Sequence, residues 1–199
     1  LERVIIGYTC QTFSDFEIVI ADDGSKEETA HMIHSLQKNT GLKIKHVWHE
    51  DQGFQKNKIV NKAITASEGD YLIFTDGDLI PRADFVETHY RHARKDRFLS
   101  GGCIRLTQNV SDLIQTSNVL SQDVFSAKWL ISKGQPFSFR LLKLTSNKAF
   151  ATILNGFTPT GATWNGGNSS AFKADILAVN GYDENLRYGG EDRELGERL

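Results

Sequence analysis

Residues Tyr71-Leu72-Ile73-Phe74 form an unbroken apolar run that ends in Thr75-Asp76-Gly77-Asp78, two carboxylates one glycine apart. A short apolar run closed by turn residues reads as a buried strand. Charges at the carboxyl end of such a strand stand where ligands bind in open α/β sheets. Two carboxylates this close repel, and a cation between them relieves the strain. Hard oxygen ligands suit Mg2+ or Mn2+, metals commonly shared with substrate phosphates. Asp-Gly is also a common turn pair, so the motif alone is equally an ordinary turn.

The chain around this strand alternates. Residues 1 to about 10 have a helical pattern, and residues 16–21 read as a strand ending at Asp22-Asp23-Gly24. Ser25-Lys26-Glu27-Glu28 has the form of a capping box, with a helix to about Lys38 that Asn39-Thr40-Gly41 stops. Residues 43–48 are a strand candidate. A helix is expected from Gln55 to about Ala66, with Ile59, Val60, Ala63 and Ile64 on one face. After the Tyr71–Phe74 run come a helix from about Ala83 to Arg94 and a strand over 97–104. This βαβα order predicts a mostly parallel sheet with helices on both faces. An opening helix with no strand before it implies a first strand upstream of Leu1.

From about Leu106 to Pro159 the signals weaken. Apolar islands at Val119-Leu120, Trp129-Leu130-Ile131 and residues 149–154 predict short helices and loops over a cleft. A short helix is expected over 173–179, and Tyr188-Gly189-Gly190-Glu191-Asp192 leads into another. The chain has 199 residues, 39% hydrophobic and 24% charged, which fits one globular domain.

Composition removes several functions. Net charge is −2 with no polybasic run, so nucleic acid or an acidic membrane surface is not a favoured partner. Cys10 and Cys103 are isolated, which fits a reducing compartment and makes no metal-binding pair. No apolar run is long enough to span a membrane. The pairs His31/His34 and His89/His92 read as solvated helix faces. Asn109-Val110-Ser111 and Asn168-Ser169-Ser170 match the glycosylation sequon but have no secretory context.

Four further places carry candidate chemistry, each with a plainer reading. Asp22-Asp23-Gly24-Ser25 is either strand exit plus helix cap, or a carboxylate placed to accept from a base N–H or a ribose hydroxyl. Asp51-Gln52-Gly53-Phe54-Gln55-Lys56 is a loop with a solvated lysine, or a close backbone approach with Lys56 meeting a phosphate. Glu191 and Asp192 are acidic residues favoured by a helix's first turn, or include a general base reached through flexible glycines. Trp164, before Gly166-Gly167, is plain core or a platform for a sugar ring.

In this order, the motifs resemble family 2 glycosyltransferases of the GT-A fold. Residues 11–17 followed by Asp22-Asp23-Gly24-Ser25 resemble that family's opening helix and second strand, and Asp76-Gly77-Asp78 its Asp-x-Asp motif. Gly166-Gly167-Asn168, Gly181-Tyr182-Asp183-Glu184 and Gly190-Glu191-Asp192 are similar to the galactosyltransferase-type carboxyl-terminal module that chondroitin-type polymerases share. The resemblance implies one GT-A domain over 1–199, a Rossmann-like sheet with a nucleotide-binding half to about 105 and an acceptor half beyond. It implies a bacterial-type inverting transfer of galactose, N-acetylgalactosamine or a related hexose from a UDP-sugar to a glycan or glycolipid acceptor in surface polysaccharide synthesis. The domain would work in the cytoplasm, with peripheral association at the inner membrane face.

By the same resemblance Asp23 holds the uracil, Asp76 lies by the ribose and metal, and Asp78 ligates Mn2+ or Mg2+. Lys56 and Gly167 serve the donor. Asp192 is the base, Glu191 faces the acceptor and Trp164 lines its site. The family's first strand, with its Pro-x-Tyr-Asn contact, and a further metal ligand beyond the Glu-Asp pair would both lie outside Leu1 to Leu199. Two other readings stay open: a nucleotidyltransferase that makes the sugar nucleotide, and a non-catalytic sugar-nucleotide or glycan-binding module.

Overall fold

The computed structural model describes residues 1–144, 163–186 and 188–199. Helix α1 (Glu2–Tyr8) precedes strand β1 (Ile18–Asp22), helix α2 (Glu27–Thr40) and strand β2 (Ile44–Trp48). The two strands pair in parallel, Ile18 opposite Ile44 and Asp22 opposite Trp48. Parallel neighbours need a long crossover, which α2 supplies. Its end is set by Gly41 in the left-handed region. Ile33 of α2 closes against Ile5 of α1 and Ile44 of β2, with Ile18 and Ile20 beside them.

Helix α3 (Lys56–Ala66) packs on β1 and β2 and leads to strand β3 (Tyr71–Thr75), helix α4 (Phe85–His92) and strand β4 (Leu99–Ser100). Short helices follow, α5 (Gln108–Leu113), α6 (Thr116–Leu120) and α7 (Ala127–Ser132), with 3-10 turns at Asp123–Phe125 and Phe139–Leu144. The island expected at 149–154 lies outside the described residues. Strand β5 (Asn168–Phe172) and helices α8 (Lys173–Ala178) and α9 (Glu191–Arg198) complete the chain. No described helix is long and apolar enough to cross a membrane.

Both faces of β3 are covered, as its unbroken apolar run requires. Leu72 and Phe74 meet Ile64, Trp164, Ile176 and Leu195, while Ile73 meets Val4, Tyr8 and Val86. The pairing of β3 departs from the expected parallel pattern. It runs antiparallel to β5, Thr75 opposite Asn168, and β5 carries β4 on its other edge. The strand expected over 97–104 shrinks to Leu99–Ser100, which pairs with Ser170 and Ser169. His89 is buried rather than solvated, between the Ser170 hydroxyl at 2.7 Å and Asn168 Oδ1 at 2.9 Å. Burial lowers its tendency to take a proton.

The capping box is also corrected. Lys26 occupies the cap position of α2, and Ser25 turns back to the strand end instead. Asp22 is buried there, accepting the Ser25 amide at 2.9 Å and hydroxyl at 2.5 Å, with His46 Nε2 at 2.7 Å. Burial opposes ionisation of Asp22, but the Ser25 bonds and His46 outweigh it and hold its pKa below 3.8. A lowered acid stabilises the fold above its ordinary pKa, and that stability drains away as pH falls through the lowered value. Asp22→Asn is expected to cost about 1–3 kcal/mol at pH 7. Urea unfolding across pH should also show a flatter loss of stability below about pH 4 in the variant.

Candidate functional site

Because β5 begins opposite the end of β3, the turn before it lies beside Asp76. That turn is Gly166-Gly167, and both glycines stand in close approach to side chains. A Cβ on Gly167 would stand 2.7 Å from Asp76 Oδ2, and one on Gly166 would stand 2.8 Å from Asp192 Oδ1. The turn is thus a thin wedge between two carboxylates, one from the end of β3 and one from the first turn of α9. The Gly166 amide donates to Asp192 Oδ2 at 3.0 Å.

Lys56, at the start of α3, binds the same group of acids. Its Nζ lies 3.2 Å from Glu191 Oε1 and 3.6 Å from Asp192 Oδ1. Glu191 is buried and its other oxygen accepts the Gly189 amide at 2.9 Å. Burial works against its charge, but backbone amides and Lys56 prevail and keep it below the usual carboxylate range. Partial burial pushes Asp76 upward; Lys56 opposes this, while the charges of Asp78 and Asp192 add to it. Asp78 is exposed beside Asp76. Gly189 and Gly190 both take φ 95°, a conformation that favours glycine, and Gly190 caps α9.

Helix α3 also positions the segment leading to α9. Asn57 Nδ2 donates to the carbonyls of Asp183 at 2.7 Å and Leu186 at 3.1 Å. One turn on, Asn61 donates to the Tyr182 carbonyl at 2.8 Å and accepts its amide at 2.9 Å. Asp23 lies at the same end of α3, with Oδ1 2.6 Å from His49 Nε2 and Oδ2 accepting the Gln55 amide at 2.8 Å.

The structure therefore gathers Lys56, Asp76, Gly167, Glu191 and Asp192, with Asp78 beside Asp76. Asp23 is one residue removed, through Gln55. Trp164 stands apart. It is 2% exposed, edge-on to Phe74 and Phe98 with ring centres 5.1 and 5.6 Å away. No ring face is open for a sugar, so the expected platform is corrected to the plainer core reading. Its Nε1–H donates to the Tyr182 hydroxyl at 2.8 Å, which donates in turn to Asp192 Oδ1 at 3.2 Å. Burial and the Asp192 charge push the Tyr182 phenol well above its ordinary pKa, so it remains a donor.

Tyr182 is a contact for which sequence reasoning found no role. Only the fold brings its hydroxyl to a carboxylate ten residues on. Tyr182→Phe leaves the indole N–H of Trp164 buried without an acceptor, and is expected to cost about 1–3 kcal/mol. Adding Trp164→Phe removes the orphaned donor, so the double variant should lose less than the two single losses summed. Chemical denaturation of the four proteins of this cycle measures the coupling.

Among the described residues, no three or more His, Cys, Asp or Glu side chains are grouped to hold a metal ion. Asp76 and Asp78 still offer hard oxygen donors at one point, under mutual repulsion. That set is too small for a closed cage. It suits a Mg2+ or Mn2+ that takes its remaining ligands from phosphates and water.

Two family profiles match the chain: Glycosyl transferase family 2 over residues 1–155, and the N-terminal domain of galactosyltransferase over residues 147–199. The chondroitin synthase of Escherichia coli is 26% identical over 95% of this chain and 28% of its own length. The GalNAc(5)-diNAcBac-PP-undecaprenol beta-1,3-glucosyltransferase of Campylobacter jejuni is 28% identical over 75% of this chain and 50% of its own length. This chain thus spans half or less of either relative. The crystal structure of S. aureus TarS superposes over 98% of the chain and 30% of its own, with TM-score 0.53 at 13% identity. At that identity the likeness concerns the fold alone, which is of GT-A type.

Proposed function

The chain belongs to glycosyl transferase family 2, and from that premise we propose that it is the GT-A catalytic domain of an inverting, metal-dependent hexosyltransferase. The donor is a UDP-sugar carrying galactose, N-acetylgalactosamine or a related hexose, and the acceptor is a glycan or glycolipid. The observation that carries this reading is the Gly166-Gly167 wedge, with Asp76 on one side and Asp192 on the other. It sets a paired-aspartate end, suited to a diphosphate and its cation, against a carboxylate suited to deprotonate a hydroxyl. The names of the two relatives, a polymer synthase and an enzyme whose acceptor is linked to undecaprenol, support a growing glycan or a lipid-linked one.

In this reading residues 1–199 act as one unit. Asp23 accepts from the uracil with the lone pairs that His49 and Gln55 leave over. Asp76 and Asp78 would hold the Mn2+ or Mg2+, which when bound would neutralise charge building on the departing diphosphate. Gly167, lacking a side chain, lets the turn stand against Asp76 beside the donor. Asp192 takes the proton of the acceptor hydroxyl. The acceptor oxygen forms its bond to the anomeric carbon from the face opposite the diphosphate, the bond to UDP breaks, and the configuration inverts. Glu191 lies toward the acceptor and fixes Lys56, whose ammonium is shared with Asp192 and can reach donor phosphate.

Thermal stabilisation by a panel of UDP-, GDP- and dTDP-sugars, with and without Mn2+, tests this reading. A rise with one UDP-hexose, dependent on Mn2+, supports it. Pyrophosphate formed from NTP and sugar phosphate, with no such rise, would replace it by nucleotidyl transfer.

A further inference from the structure

Two successive aspartates, Asp22 and Asp23, stand at the end of β1, and each meets a histidine. The register that sets Asp22 opposite Trp48 brings the next residue of each strand, Asp23 and His49, side by side. Asp22 lies 2.7 Å from His46 Nε2, and Asp23 lies 2.6 Å from His49 Nε2. The two pairs differ in what they leave open. Asp22 is buried, and Ser25 donates to both of its oxygens, through its amide and its hydroxyl. That pair serves the turn. The Asp23 side chain stays 27% exposed, while His49 beside it is closed to 12%.

A third group sets the histidine. Lys62 of α3 places its Nζ 3.3 Å from His49 Nδ1. An ammonium has three donors and no acceptor, so in this contact Nδ1 accepts. The bond made at one ring nitrogen decides which nitrogen carries the proton. The ring proton therefore sits on Nε2, which donates to Asp23 Oδ1. The other oxygen, Oδ2, accepts the Gln55 amide at 2.8 Å from the start of α3. The carboxylate is thus held at both oxygens by two different elements, and each oxygen keeps a lone pair.

We propose that His49 is a positioning residue for nucleobase selection and that Lys62 sets its tautomer, so that the three side chains present one fixed acceptor to the base. The proposal rests on the reading of Asp23 as the acceptor for uracil. Uracil carries an N–H at N3, where cytosine carries a lone pair. A site built to hydrogen-bond an N–H rejects the analogue that lacks it, because the site's own polar group is then left unpaired. That rejection needs an acceptor that cannot turn away. Without His49, Asp23 Oδ1 loses its tie to the end of β2, and the carboxylate can rotate about the single bond to the Gln55 amide. Uracil then loses its aligned partner, and cytosine is no longer penalised.

The test is calorimetric binding of UDP and of CDP, with Mn2+, to the intact protein and to His49→Leu, His49→Gln and Lys62→Met. His49→Leu should weaken UDP binding about tenfold and leave CDP binding unchanged. His49→Gln restores an N–H near the place of Nε2 and should recover most of the loss. Lys62→Met keeps the aliphatic stem, removes the donor, and should weaken UDP about threefold. Nitrogen-15 NMR of the imidazole, without nucleotide, reads the tautomer directly: Nε2–H in the wild type, with Nδ1–H appearing in Lys62→Met. Thermal unfolding without nucleotide shows which variants are folded. Lys62 is exposed, so Lys62→Met carries the test if His49→Leu does not fold. Equal losses for UDP and CDP, equal losses in the Leu and Gln variants, or an Nδ1–H ring in the wild type overturns the proposal and reduces the pair to a tie between strand ends. UDP binding that no variant alters overturns it alone, whereas a wild type that binds no UDP overturns the uracil reading with it.

Discussion

Asp192→Asn is expected to lower kcat by about a thousandfold, with donor KM changed little, because it removes the proton acceptor and otherwise alters only the Oδ1 contacts with the Tyr182 hydroxyl and Lys56. A positioned general base contributes about 10²–10⁴ to rate. The amide is nearly isosteric with the carboxylate. Its oxygen can keep the Gly166 amide bond made at 3.0 Å, and buried Leu195 still anchors the helix. Fold and donor binding should therefore survive, which thermal unfolding with UDP-sugar checks directly. Glu191→Gln is the informative comparison. Glu191 is tied to Lys56 at 3.2 Å and to the Gly189 amide at 2.9 Å, so its lone pairs are already committed. Its loss should disturb the placement of Lys56 and the Gly189-Gly190 turn, raising KM as well as lowering kcat. If Asp192→Asn retained a tenth of wild-type transfer, the base would have to be sought elsewhere and Asp192 reduced to a charge beside Lys56.

The parts of this fold that were legible in the sequence are those that local pattern determines. The apolar run of β3 announced a strand covered on both faces, and Leu72, Ile73 and Phe74 are so covered. The helical face of α3 and the stop at Gly41 were readable for the same reason: each is fixed by residues within a turn or two. What was not legible depends on partners distant in sequence. The antiparallel partner of β3 is a strand almost a hundred residues on, and βα alternation carries no record of it. Trp164, before Gly166-Gly167, could be read as core or as a platform, because an aromatic face suits a sugar ring. Those glycines face the carboxylates while the indole turns inward to Phe74, Phe98 and Tyr182. His89 looked solvated because it pairs with His92 at helical spacing, yet the hydroxyl and amide of β5 need a partner there. Motif residues could thus be named from sequence, but whether each faces the cleft or the core could not.

Asp78→Ala is expected to remove the effect of divalent cation on the protein while leaving its metal-free stability unimpaired. Asp78 is exposed, and among the described contacts its main electrostatic effect is to oppose the ionisation of Asp76. Deleting it relieves repulsion and breaks no core contact, so thermal unfolding in EDTA should be unchanged or slightly later. With Mn2+ and UDP the two proteins should part. A ligand at a hundred times its dissociation constant stabilises the native state by about 2.7 kcal/mol. For a domain of this size that is a rise of roughly 5–10 °C. Wild type should show that rise only with both Mn2+ and nucleotide present, since a pair of carboxylates leaves most of the cation's ligands to the phosphates. Asp78→Ala should show almost none of it, and its transfer rate should fall at least about a hundredfold, because the charge developing on the diphosphate loses its counterion. The unfolding measurement separates this loss from a defect in the base, since Asp192→Asn keeps the Mn2+-dependent rise. A wild-type-sized rise in Asp78→Ala would mean that the cation, if there is one, is held by other residues, and that the Asp-Gly-Asp sequence is the simple turn its composition also allows.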